Sequence, residues 1–140
     1  MKIVVVDGQG GGIGRLLVEK LKARAPGHEV IAVGTNALAT SAMLRAGADA
    51  GATGENAVRY NCRDADLILG PAGIILDDAM LGEVSPAMAE AVRQSPALVC
   101  LLPMAESLPG RRAPTLEGAA EALVEEALGE GTLGLCPRPR

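Results

Sequence analysis

Residues Val4-Val5-Val6-Asp7-Gly8-Gln9-Gly10-Gly11-Gly12-Ile13-Gly14-Arg15-Leu16-Leu17 constrain this chain more than any other stretch. A β-branched run breaks into five glycines and then enters an apolar pattern of helical period. Glycine lets the backbone turn sharply and lets N–H groups approach an anion with no Cβ in the way. The helix that follows aims the positive end of its dipole into the same space. Strand, phosphate-sized loop and helix N-terminus are therefore expected in succession.

The rest of the composition narrows the setting. A chain of 140 residues is long enough for one compact domain with a substantial core. Its formal charge of −4 argues against non-specific nucleic-acid binding. Tyr60 is the one aromatic residue, so the core has to be aliphatic and base-stacking platforms are missing. No apolar run approaches the ~18–20 residues of a membrane span. Asp7 and the glycines interrupt the N-terminal apolar stretch too early for a signal peptide. Cys62, Cys100 and Cys136 lack a C-x-x-C spacing and cannot all pair internally; reduced thiols in the cytoplasm are the simplest reading.

Along the chain, Lys2–Val6 reads as a buried strand and Gly12 to Ala25 as a helix with Leu16, Leu17, Leu21 and the Lys20 stem on one face. Pro26-Gly27 stops it. A second strand at Glu29–Val33 ends in Gly34-Thr35-Asn36, and a second helix spans Ala37 to Arg45. Ala48 to Gly54 is small and loop-like, and Glu55 to Cys62 forms a short helix. Asp66–Leu69 is a third strand stopped by Gly70-Pro71. Ile74 to Leu81 fits either a helix or an extended segment. Ser85-Pro86 starts a helix with a cap and a proline at its first position, lasting to Gln94. Leu98–Leu102 is a fourth strand.

This alternation requires a parallel sheet with helical crossovers. The expected fold is α/β, a Rossmann-like three-layer domain over residues 1–104 with about four strands in the order 2-1-3-4. Ligands in such sheets bind outside the carboxyl ends of the strands, where the strand order reverses. Residues 105–140 read as a C-terminal extension, with a Pro/Gly/Arg connector over Leu108–Pro114. An amphipathic helix over Thr115–Leu128 follows, free to cover the sheet edge or to bind a partner subunit. Gly129 to Arg140 reads as a flexible tail.

The crevice assigns candidate residues. Gly8, Gly10, Gly11, Gly12, Ile13 and Gly14 would hold a phosphate, with Thr35, Asn36, Asn56 and Gly73 around it as further binding residues. The competing reading is a glycine turn kept for tight helix–sheet packing. Asp7, at the end of the first strand, could hold a ligand hydroxyl or a hydrated Mg²⁺, or accept N–H bonds inside the glycine loop. Thr35, Asn36, Thr40 and Ser41 crowd a helix start, where capping competes with binding. Asp7 and Glu55 are the catalytic candidates, although Glu55 and Arg59 are also spaced for an i,i+4 ion pair. Gly73, in Gly70-Pro71-Ala72-Gly73, could let a ring or sugar lie on the backbone or form a plain turn. Asp77, Asp78 and Glu83 read as a solvated acidic face rather than a metal cluster, and no metal site is expected. Cys62 lies near Arg59 and Arg63, which would lower its thiol pKa, but no histidine base is close in sequence.

Gly12-Ile13-Gly14-Arg15-Leu16-Leu17 is similar to the cofactor loop of short-chain dehydrogenases. That likeness covers about fifteen residues, and the tyrosine–lysine pair of that family is missing around Tyr60. The second strand also ends without an acidic residue, because Gly34-Thr35-Asn36 stands where a ribose-binding Asp or Glu belongs. Over residues 1–104 the chain resembles an uncharacterised bacterial family of small Rossmann-like proteins, a domain of unknown function. The likeness runs through Asp7–Gly14, Gly34-Thr35-Asn36, Ala39-Thr40-Ser41-Ala42-Met43 and Gly51-Ala52-Thr53-Gly54-Glu55-Asn56-Ala57. It implies the fold and a soluble bacterial setting and carries no catalytic residues across.

The sequence thus points to a cytoplasmic protein binding a nucleotide or another phosphorylated small molecule, with transferase or hydrolase activity left open. A non-enzymatic, homo-oligomeric sensing or scaffold module is the alternative. An NAD(P)-dependent reductase is the second alternative and would need Thr35-Asn36 to replace the acidic clasp. Neither nucleic acid nor membrane is an expected partner.

Overall fold

A computed structural model describes residues 1–102 and 115–129. Five parallel strands form one sheet in the order β3-β2-β1-β4-β5, comprising β1 (Lys2–Asp7), β2 (Glu29–Gly34), β3 (Ala50–Thr53), β4 (Leu67–Pro71) and β5 (Leu98–Leu102). Helices α1 (Gly12–Arg24), α2 (Ala37–Arg45) and α5 (Leu116–Ala127) cover one face, with α3 (Glu55–Cys62) and α4 (Pro86–Arg93) on the other. β1 lies at the centre and is buried on both faces. Ile3 and Val5 pack toward α1 and α5, and Val4 and Val6 toward α3 and α4. An uninterrupted apolar strand follows from that position, since period-2 side chains all meet a helix layer.

The expected four-strand sheet in the order 2-1-3-4 is corrected to five strands in the order 3-2-1-4-5. The additional strand, Ala50–Thr53, pairs only with β2 at the sheet edge. Its Ala-Gly-Ala-Thr sequence has poor strand propensity. Tertiary packing selects it: a Cβ on Gly51 would stand 2.9 Å from Thr40 Cγ2 and 3.0 Å from Leu44 Cδ1. Small residues are what let α2 close over this edge. The third expected strand likewise continues through Gly70-Pro71, which pair with Leu101 and Leu102 of β5. Gly70 has no room for a side chain, because a Cβ there would collide with the Val6 carbonyl.

The ambiguous segment from Ile74 resolves into a 3-10 turn (Ala72–Ile75) and a compact loop over 76–84. Ser85 caps α4 by accepting a bond from Met88 N–H, as its sequence suggests. The C-terminal helix is not spare: it packs against α1 and over the edge strand β5. Ala120, Leu123 and Val124 are fully buried in the core beside α1. Lys20 pairs with Glu117 and Glu121, and Arg24 with Glu121 and Glu125. Leu116, expected on the apolar stripe, is instead half exposed. The proposed boundary at 104, the 108–114 connector and the tail beyond Gly129 lie outside the described residues. Cys62 is a free buried thiol whereas Cys100 is disulfide-bonded, so the reading of three reduced thiols is corrected. Among the described residues no helix is long and apolar enough to cross a membrane.

Candidate functional site

The strand order reverses at β1, which has β2 on one side and β4 on the other. The loops after these three strands therefore meet at the carboxyl edge of the sheet, where α/β proteins place their ligands. Gly11 opens α1 from the left-handed region (φ 73°), a conformation that glycine takes without steric cost. Asp7 then turns into the loop it precedes. Its Oδ1 accepts from Gly8 N–H at 2.7 Å and its Oδ2 from Gly14 N–H at 2.6 Å. This is the loop-bracing role, and it leaves the carboxylate only 4% exposed. Burial holds its pKa above the ordinary carboxylate value; the two N–H bonds oppose that rise and the nearby Glu83 charge adds to it.

The five glycines divide by cause. A Cβ on Gly8 would stand 2.5 Å from Thr35 Oγ1 and 2.7 Å from Met80 Sδ, and one on Gly14 2.6 Å from Met43 Sδ and 2.8 Å from Asp7 Cβ. Gly11 has both a positive φ and Ala39 backbone 3.0 Å from its Cβ position. Packing and dihedral angle therefore account for those three. Neither accounts for Gly10 or Gly12, whose Cβ positions meet nothing within 4 Å among the described residues and whose φ values are ordinary. Among the described residues, the N–H groups of Gly10, Gly12 and Ile13 also find no acceptor. They border a cavity of about 220 Å³ that Pro71, Met80 and Leu116 help to enclose. Exposed first-turn N–H groups at a positive dipole end are suited to an anionic oxygen.

Glu83 is the residue that sequence inspection misplaces. It does not belong to a solvated acidic face with Asp77 and Asp78. Asp77 pairs with Arg93 at 3.1 Å, while Glu83 reaches across the crevice. Its Oε1 accepts from Gln9 N–H, Thr35 Oγ1 and Asn36 Nδ2, each at 2.8 Å. These bonds, led by that from Gln9, hold its pKa below the ordinary value. Asn36 also caps α2 through Ala39 N–H and donates to the Gln9 carbonyl. Thr35 and Asn36 thus sit beside the glycine loop as expected, with an internal carboxylate already on them. The signal that could have revealed Glu83 is weak: an acid placed just before the buried Val84 and the Ser85 cap.

The remaining candidates are more dispersed. Glu55 does not pair with Arg59; its Oε1 accepts from Ser85 Oγ at 2.7 Å and ties α3 to the start of α4. Asn56 lines a separate hollow of about 470 Å³ between β3 and α3, with Tyr60 and Asn61. Gly73 lies under Ala79 and Met80. Thr40 is buried and bonded to Thr53 Oγ1 at 2.7 Å, which ties α2 to β3. A larger hollow of about 560 Å³ opens between α3 and α4 beside Arg59, Cys62 and Arg63. Burial pushes the Cys62 thiol up to about 11, reversing the lowered value expected from its arginine neighbours. Among the described residues no cluster of His, Cys, Asp or Glu could hold a metal ion.

Comparison with known proteins agrees with this architecture. The family model described as "Domain of unknown function (DUF3842)" matches residues 2–129. The match extends past residue 104, where the sequence likeness was expected to stop, and takes in α5. No curated protein matches the sequence. Similar solved structures include the heptosyltransferase WaaC of E. coli with ADP, at 11% identity and a TM-score of 0.55. That alignment covers 94% of this chain and 48% of the transferase, so the chain spans about half of that enzyme's length. A dodecameric FMN-dependent UbiX-like decarboxylase from Escherichia coli O157:H7 aligns at 18% identity and a TM-score of 0.46, over 91% of this chain and 76% of the enzyme. Levodione reductase aligns at 16% and 0.47, over 89% and 62%. At 11% identity the heptosyltransferase alignment speaks to the Rossmann-like fold alone. The chain belongs to the DUF3842 family.

Proposed function

We propose that this member of the family binds a nucleotide or a similar phosphorylated small molecule, with a phosphate seated over Gly10–Ile13. The observation that carries the reading is the division of the glycines. Among the described residues Gly10 and Gly12 serve neither packing nor a left-handed turn, and they leave space over N–H groups that lack acceptors there. A cavity of about 220 Å³ takes a phosphate group and leaves the rest of a ligand to follow the crevice. Asp7 acts as a brace, because both of its oxygens are committed to the loop. The heptosyltransferase of similar fold is described with ADP, which is in keeping with a nucleotide ligand.

The non-enzymatic scaffold alternative requires a spare amphipathic helix, and α5 spends its apolar face on α1 and β5. Transferase or hydrolase chemistry at the same crevice would have to draw on other groups, since Asp7 is committed to the loop and Glu55, bonded to Ser85, does not line the glycine-loop cavity. Native mass spectrometry of gently purified protein, comparing wild type with Gly12→Val, tests the binding reading. The expected result is a retained nucleotide- or phosphometabolite-sized mass that disappears in a variant of unchanged melting temperature. A mass retained equally by both proteins would exclude the loop as its seat.

A further inference from the structure

We propose that Glu83 is the acidic clasp that the loop after β2 lacks, accepting hydroxyls of a ribose whose phosphate lies over Gly10–Ile13. This rests on the nucleotide reading and adds a ligand class to it: nucleotides with a free vicinal 2′,3′-diol, in preference to 2′-deoxy or 2′-phosphorylated ones. In dinucleotide-binding sheets the ribose acceptor is an Asp or Glu at the end of the second strand. Here that end reads Gly34-Thr35-Asn36, and the carboxylate arrives from a different loop to occupy the same corner.

The geometry of the carboxylate supports an acceptor with a free side. All three donors fall on Oε1, one from the glycine loop and two from the residues just after β2. Oε2 has no partner among the described residues. One oxygen is thus anchored and the other is held in place beside the loop, as preorganised recognition requires. Glu83 Oε1 also lies 3.1 Å from where a Gly8 Cβ would be, so the acid directly adjoins the loop. The corner is negative, with Asp7 close enough to interact with Glu83. A hydroxyl donor is welcome there and a second phosphate is repelled. The bonds from Gln9, Thr35 and Asn36 keep the carboxylate ionised and therefore acceptor-only.

The test is calorimetric titration of the full chain with pyrophosphate, ADP, 2′-deoxy-ADP and adenosine 2′,5′-bisphosphate, in wild type, Glu83→Gln and Glu83→Ala. Pyrophosphate has no sugar, so it reports on the loop alone. Wild type should bind ADP about tenfold more tightly than 2′-deoxy-ADP, the loss of one bond to a charged acceptor. Adenosine 2′,5′-bisphosphate should bind more weakly still. In Glu83→Gln the amide oxygen can keep the three donors while its NH₂ faces the sugar, and the ADP preference should shrink to about twofold. Pyrophosphate affinity should change little, and Glu83→Ala, checked for folding by circular dichroism, should lose the preference as well. Equal wild-type affinity for ADP and 2′-deoxy-ADP would overturn the clasp and leave the phosphate reading standing. Tighter binding of every probe to the same extent by either variant, with the ADP to 2′-deoxy-ADP ratio left as in wild type, would overturn it too and make Glu83 a plug of the crevice. Failure of both pyrophosphate and ADP to bind wild type would remove the clasp together with the reading beneath it.

Discussion

The glycine loop at 8–14 and the segment at 76–84 face each other across the same crevice, and they reach their shapes by opposite means. The glycine loop is locally encoded. Gly11 supplies one left-handed residue and Asp7 closes the loop from the adjoining strand; the other left-handed residue, Gln9 (φ 50°), is held through its N–H by Glu83. The 76–84 segment places Asp78 (φ 63°), Met80 (φ 57°) and Leu81 (φ 57°) in the left-handed region, with glycine only at Gly82. Each such non-glycine residue costs roughly 1–2 kcal/mol. The segment offsets that cost through tertiary anchors: buried Val84, Arg93 on the Ile75 carbonyl and Asp77, and Glu83 on the opposite loop. Apart from Gln9, the glycine loop depends on which residues are in it, and the other segment on what it touches.

The sharpest way to break this contrast lies within the glycine loop. Gly14→Val should destabilise the protein by about 1–3 kcal/mol through overpacking against Met43 and Asp7. Gly12→Ala should stay within about 0.5 kcal/mol of wild type, since its Cβ meets nothing and alanine is the better helix former. Paired urea denaturation curves would check both, and equal losses would refute the division of the glycines. For the facing segment, Glu83→Ala should cost about 1 kcal/mol, with three hydrogen bonds removed from a partly exposed group. Hydrogen exchange should show the Gln9 amide losing protection first.

A smaller effect of opposite sign is expected at Leu81, which is fully exposed and loses no packing when truncated. Leu81→Gly relieves the left-handed backbone but loosens the unfolded chain, leaving a net gain of about 0.5 kcal/mol. Thermal melts would detect it, and a loss of stability would show that the segment is not strained there. The subtlest contrast is in pH. Glu83 has a lowered pKa, so its contribution is present above the ordinary carboxylate value and fades as pH falls through the lowered one. Asp7 has a raised pKa, so its contribution to stability falls as pH rises from the ordinary value through the raised one. Asp49, Asp64 and Glu121 also have lowered pKa values, so Glu83→Gln should show a shallower rise of stability with pH on the acid side than wild type, measurable by denaturation at several pH values.

The same contrast explains what could be read from the sequence. The central strand, α1, α2, α3 and α4 were legible because caps, glycine stops and apolar period agree locally, as with Ser85-Pro86 and Asn36. The edge strand Ala50–Thr53 was not, because only its pairing with β2 and the close approach of Leu44 make those small residues extended. At the site, the loop glycines, Asp7, Thr35 and Asn36 could be named from their place after strand ends. Glu83 could not: forty-seven residues separate it from Asn36, and nothing local marks an acid that crosses a crevice.

The central claim is that Gly10, Gly12 and Ile13 hold open an anion seat while Asp7 keeps Gly14 for itself. Amide resonances of ¹⁵N-labelled protein followed through an ADP titration test this most directly. The account predicts saturable shifts at Gly10, Gly12 and Ile13, with Gly8 and Gly14, whose N–H groups are bonded to Asp7, moving far less. Shifts confined to the α3–α4 or β3–α3 hollows, with the loop amides unmoved, would contradict it.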